Sequence, residues 1–248
     1  EKDPRAWIVR EGKKRTEPTP YDDYPNPKAA PVRLYLGPGG NGTGRLGFKA
    51  RAGQGAEKLI DNYEFKGATL ASEAKSEHRL LYATGRLSRP VHLSGTSSIR
   101  IKVSSSQPAA NLSVWLVSLP WTKGGRTNDN LISRGWADPQ NHESLRESKP
   151  LEPGKFYELS FDFQPDDQVI PVGQRIGLMI FSSDKDFTLW PKPGTELTVE
   201  LGATSIELPV VGGPRALRRA TTPKRRRLSA PRKLIFHPLP GTNGSGRF

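Results

Sequence analysis

The feature that most constrains this chain is a change of hydrophobic period within one stretch, residues 85–120 (GRLSRPVHLSGTSSIRIKVSSSQPAANLSVWLVSLP). Ile99, Ile101 and Val103 alternate with Ser98, Arg100 and Lys102, the period-two pattern of a strand with one face in a core and one in water. Beyond the polar turn of Ser104 to Ala110, the run Leu112-Ser113-Val114-Trp115-Leu116-Val117 carries apolar residues on both faces, as a strand covered on both sides requires. Two neighbouring strands of unlike exposure imply layered β structure.

The rest of the chain repeats the theme in short pieces. Its 25 glycines and 23 prolines fall at intervals of roughly ten residues, a spacing that suits many short strands and turns and little helix. Strands are expected at Val32–Leu36, Arg79–Ala83, Pro90–Leu93, Leu131–Trp136, Phe156–Phe163, Gln174–Ser182, Phe187–Trp190, Leu197–Leu201 and Ser205–Val211. In Phe156–Phe163, Tyr157, Leu159, Phe161 and Phe163 face one way while Glu158, Ser160 and Asp162 face the other. A turn or two of helix is expected within Gly55–Phe65. The fold class read from this pattern is all-β, an antiparallel sandwich of about ten strands in a jelly roll.

Charge divides the chain unevenly. Ten of its thirteen net positive charges lie beyond Gly213, where there is no acidic residue, so the preceding body is nearly balanced. Lys224-Arg225-Arg226-Arg227 could contact nucleic-acid phosphates, but no aromatic platform surrounds the run. A solvated basic tail over 214–248, disordered for want of apolar residues, is the favoured reading, and nucleic acid is not an expected partner. Residues 1–31, with Pro18, Pro20, Pro25, Pro27 and Pro31, should run extended across a surface, with Trp7-Ile8-Val9 as a piece able to dock. The sandwich itself is expected over 32–213. No apolar run approaches the roughly 18 residues of a membrane-spanning helix, so no membrane partner is expected. The lack of cysteine excludes disulfides and thiolate metal sites and leaves both a cytoplasmic and a secreted setting open.

The chemistry-bearing motifs are sparse. Gly37-Pro38-Gly39-Gly40-Asn41-Gly42 fits G-x-G-x-x-G, but no helical pattern opens after it to direct an N-terminus at a phosphate, so a hairpin-like loop is the better account. There is no G-x-S-x-G elbow, and His78, His92, His142 and His237 are scattered without zinc-ligand spacing. Asp166-Asp167 and the pair Asp184 and Asp186 could in principle hold calcium, but turn chemistry accounts for the former after Pro165. Neither catalytic residues, metal ligands nor a cofactor are therefore assigned. Trp115 reads as core. Trp121, Trp136 and Trp190 lie at expected strand ends, where an indole packs a loop or meets a neighbour, and Arg134 with Trp136 forms an Arg-Gly-Trp edge of the kind that anchors interfaces.

The wording of the sequence adds to its periodicity. The segments PNPKAAPVRLYL, PVHLSGTSSIRIKVSSSQPAANLSVWLVSL, LISRGWADPQN, KPLEPGKFYELSFDFQPDDQVIPVGQRIGLMIFSSDKDFTLWPKPGTELTV and LPVVGG resemble, in that order, the C-terminal domain of the X-prolyl dipeptidyl-peptidase family of serine peptidases, to which cocaine esterase and α-amino-acid ester hydrolases are related. The likeness covers roughly Ala6 to Leu217 and is strongest over Leu151–Thr198. Gly173-Gln174-Arg175 stands where the family commonly has Gly-His-Arg. The resemblance implies a galactose-binding-like jelly roll that packs on an α/β-hydrolase catalytic domain of the same protein. It also implies that the nucleophilic serine, the aspartate and the histidine come from that domain, upstream of Glu1, so that residues 1–31 are the lead-in from it. The parent enzyme would release Xaa-Pro dipeptides from peptide substrates, and this piece alone would be inactive. Arg134, Trp136 and Trp190 are the candidates for the interdomain contact or substrate entrance. The alternative from another class is a stand-alone carbohydrate- or ligand-binding sandwich.

Overall fold

The computed structural model describes residues 3–9, 18–122 and 126–222, with Asn128 by its backbone alone. Fifteen strands and two α-helices occur among them. In chain order they are β1 (Ala6–Ile8), β2 (Thr19–Tyr21), β3 (Ala29–Gly37), β4 (Gly44–Gly47), β5 (Ala56–Ile60), α1 (Gly67–Ser72), β6 (Leu80–Ala83), β7 (Val91–Gly95), β8 (Ser98–Ser105), β9 (Leu112–Leu119), β10 (Leu131–Ala137), β11 (Phe156–Asp162), β12 (Asp166–Ile170), β13 (Arg175–Phe181), β14 (Glu196–Glu200), β15 (Ser205–Val211) and α2 (Gly213–Thr221).

Strand pairing divides these elements into two layers. One layer runs β10-β9-β13-β6, and the other gathers β3, β15, β8, β14 and β5, with β11 on the second edge of β8 and β12 beside β7. The short β4 joins them, antiparallel to β3 and parallel to β6. Ile99, Ile101 and Val103 of β8 meet Ile206, Leu208 and Val210 of β15 and Leu112, Val114 and Leu116 of β9 in one buried core. The two layers thus form the expected β-sandwich.

The double-sided burial expected of residues 112–117 is present and has a clear origin. Leu112, Val114 and Leu116 point into the main core, while Trp115, Val117 and Leu119 enter a second cluster with Leu81, Met179, Phe181 and, from α1, Leu70 and Ala71. Helix α1 can lie this close only because its first residue is glycine: a Cβ on Gly67 would stand 2.3 Å from the Trp115 ring. The buried guanidinium of Arg79 fastens the same helix, donating to the carbonyls of Leu70 and Glu73 and, across the glycine-rich loop, to those of Gly40, Asn41 and Gly42.

Several expectations are corrected. Residues 56–60 form strand β5 rather than a helical turn, because antiparallel pairing with β14, Lys58 opposite Thr198, outweighs local propensity. Phe187–Trp190 is a loop and not a strand: the amides of Phe187 and Thr188 both turn back to the carbonyl of Asp184. The sandwich begins at Ala29, inside the expected lead-in, and β1 and β2 of that lead-in pair with each other. The expected disordered tail is helical over its first residues. Pro214 stands in the first turn of α2, and Leu217 and Ala220 are buried against the main core. Residues 223–248, including Lys224–Arg227 and His237, lie outside the described residues.

Candidate functional site

The segment that follows β13 concentrates the unusual side chains. Its base, Ser182 to Asp184, is buried and pinned by polar groups from other elements. Asp61 accepts from the Ser183 amide at 2.9 Å and from its hydroxyl at 2.8 Å, and Asn111 donates to Ser183 Oγ and to the Leu189 carbonyl, each at 2.9 Å. Asp184 Oδ2 accepts two indole N–H groups, from Trp115 at 2.9 Å and Trp136 at 3.2 Å. Burial pushes the Asp184 carboxyl above its ordinary value, against the opposing pull of the two indoles and of Arg134.

Arg134 and Trp136 project from the same face of β10, two residues apart, and Arg134 lies opposite Trp115 in the strand register. The Arg134 guanidinium lies 4.0 Å from the centre of the Phe187 ring, with Trp136 at 5.4 Å and Trp115 at 6.0 Å. Trp136 and Phe187 also touch, ring centres 5.2 Å apart. Cation–π attraction of this kind favours a desolvated neighbour more than open water. Trp190 belongs to the same loop but to a different contact: it stacks on Tyr63 at 5.5 Å and donates its indole N–H to the Lys185 carbonyl. Despite these ties, Phe187 remains 52% exposed, Leu189 83% and Trp190 60%.

Thus the three residues singled out in the sequence are gathered around one loop, with Arg134 and Trp136 in mutual contact and Trp190 farther along. Phe187 and Asp184, which complete the arrangement, come from a segment that reads in sequence as a strand and as a calcium candidate. Asp184 is committed to the indoles, Asp186 lies 3.9 Å from Lys66, and no metal-like group of His, Asp and Glu occurs among the described residues. Asp167 is not in a turn. It sits in β12, buried, with its Oδ1 2.9 Å from His92 Nε2 and 3.1 Å from the hydroxyl of Tyr21, so His92 is held in a structural contact. No serine side chain bonds a histidine ring among the described residues. In the glycine-rich loop, the amides of Gly39 and Gly40 donate to Glu57, whose carboxylate also accepts from Tyr82 at 2.6 Å. The chain's own carboxylate fills the place a phosphate would take.

The profile of the family described as "X-Pro dipeptidyl-peptidase C-terminal non-catalytic domain" matches residues 2–227. The chain belongs to this family. The match extends beyond Leu217, through α2 and into residues past Thr222. A protein of Rhodopirellula baltica named "Putative Xaa-Pro dipeptidyl-peptidase" is 56% identical over 215 residues, covering 86% of this chain and 34% of the relative. A protein of the same name from Bacillus cereus is 33% identical over 193 residues, covering 76% of this chain and 32% of the relative. The chain therefore spans about a third of the length of these curated relatives. Among solved structures, an aminopeptidase from a marine-sediment Thaumarchaeota archaeon superposes with a TM-score of 0.65 at 20% identity, over 84% of this chain and 41% of that one. An α-amino acid ester hydrolase gives 0.55 at 20% identity, over 72% and 36% respectively. These two share the fold of the non-catalytic domain.

Proposed function

We propose that this non-catalytic domain is part of a serine-type Xaa-Pro dipeptidyl-peptidase that releases Xaa-Pro dipeptides from peptide N-termini. In that protein it packs on an α/β-hydrolase domain through the loop carrying Phe187, Leu189 and Trp190 and the adjoining Arg134 and Trp136. The family match over residues 2–227 is the observation that carries the reading. The loop supports the contact surface: the polar groups at its buried base are satisfied inward while Phe187, Leu189 and Trp190 stay outward, so docking would bury apolar area at little ordering cost.

The test uses the parent protein, with the catalytic domain joined to this chain, and an Ala-Pro chromogenic substrate. The parent should hydrolyse it and lose the activity to a serine-directed inhibitor, while this chain alone should show none. The combined change Phe187→Ser, Leu189→Ser and Trp190→Ala should lower the melting temperature of the joined protein more than that of this chain alone. Inhibitor-sensitive turnover by this chain alone would overturn the assignment of chemistry to the other domain. Equal loss of stability in both proteins would remove the loop from the interface.

A further inference from the structure

A second feature lies at the opposite end of β13 from the aromatic loop. Between α1 and the ends of β9 and β13 opens a cleft of about 590 Å³, within the range of small-molecule sites. Leu81, Leu119, Pro120 and Trp121 give it an apolar wall, and Arg86 and Arg175 supply two guanidiniums. Arg175 is oriented from behind: its Nε donates to the Thr84 carbonyl at 2.7 Å, and its terminal nitrogens bond no described group. Arg86 is exposed and forms no hydrogen bond or ion pair with a described residue. Glu73 also lines the cleft but pairs with neither guanidinium.

Two like charges beside one partly buried cleft repel each other. Burial lowers the Arg175 pKa, and the Arg86 charge lowers it further. An anion between them would relieve that repulsion, and a planar carboxylate matches the guanidinium fork through paired hydrogen bonds. The apolar wall asks for more than a bare ion. We propose that this cleft binds a carboxylate carried on a small apolar body, with the anion between Arg86 and Arg175 and the body against Leu119 and Trp121. The site lies at the opposite end of β13 from the aromatic loop, and its binding is read on this chain alone, whatever surface that loop meets.

The proposal is tested by ¹H–¹⁵N NMR titration of the 248-residue chain with three probes: N-acetylphenylalanine as its anion, the matched N-acetylphenylalaninamide, and inorganic phosphate. The anion should shift the Trp121 indole and the amides around Arg86 saturably, and the neutral amide should not. Arg86→Gln, at an exposed position with no described partner, should weaken binding by about tenfold or more. Arg175→Lys, which keeps the charge and loses the fork, should weaken it less. No saturable binding at millimolar concentrations, equal binding of the amide, or unchanged binding by the Arg86 variant would overturn the proposal. Phosphate binding as tight as that of the anion would overturn the role of the apolar body.

Discussion

The two outer faces of the sandwich are built on opposite principles. On the layer containing β3, β15, β8 and β11, the outward residues are charged and paired across strands: Arg33 with Glu207 at 3.1 Å, Arg100 with Glu158 at 2.6 Å, and Lys102 with Glu200 at 2.7 Å. These side chains are solvated, and such pairs contribute little to stability. On the layer containing β9 and β13, the outward residues are Trp115, Val117, Met179 and Phe181, covered by α1 and bordered by the exposed loop aromatics. A face already in equilibrium with water gains little by being covered, whereas one that exposes Phe187, Leu189 and Trp190 does gain. The comparison is the reason for placing the proposed interdomain contact on the second face.

The largest effect should come from the polar group that secures the covered face. Arg79→Met removes a donor from five backbone carbonyls, of which those of Gly40 and Asn41 keep an amide partner while those of Leu70, Gly42 and Glu73 keep none among the described residues, and should cost about 3–5 kcal/mol in urea unfolding of this chain. A loss below about 1 kcal/mol would mean that α1 holds its place by apolar contact alone. Next, Asp184→Ala removes the acceptor of two indoles and should cost about 2–3 kcal/mol, with a changed near-ultraviolet tryptophan signal.

Asp184→Asn sharpens the point through pH. Because the folded-state pKa of Asp184 is raised, the folded chain holds this proton more tightly than the unfolded one. The stability tied to that proton is fully present below the ordinary aspartate pKa and is lost as pH rises through the raised folded-state value. The difference in unfolding free energy between the native chain and Asp184→Asn should therefore move in favour of the native chain on acidification across that window. A pH-independent difference would contradict the burial of the charge.

Smaller effects mark the border and the wet face. Trp190→Ala should cost this chain about 1 kcal/mol through the lost stacking on Tyr63. Arg33→Ala should leave the urea midpoint unchanged, since its partner Glu207 stays solvated; a clear loss would show that the charged face bears structural weight.

Much of this contrast is legible in the sequence. Alternation in residues 98–103 and 156–163 marks strands with one wet face, and the apolar run of 112–117 marks one covered twice. Spacing alone places Arg134 and Trp136 on one side of a strand. What covers β9 is not legible, because α1 is short and its fit depends on the missing side chain of Gly67. Strand β5 escapes a local reading because its identity comes from β14, about 140 residues along the chain, and not from its own residues. In α2 the density of arginines conceals the spacing of Leu217 and Ala220, which do face the core. Asp167, two residues after Pro165, reads as turn chemistry, and only pairing of β12 with β7 brings it to His92.

The most direct test of the asymmetry is hydrogen–deuterium exchange, comparing this chain alone with the same residues in the joined parent protein. Protection gained at residues 184–190 and 134–136, with none on the charged faces of β8, β11 and β15, is the predicted result. Protection gained on the charged face, with the aromatic loop exchanging equally in both proteins, would contradict it.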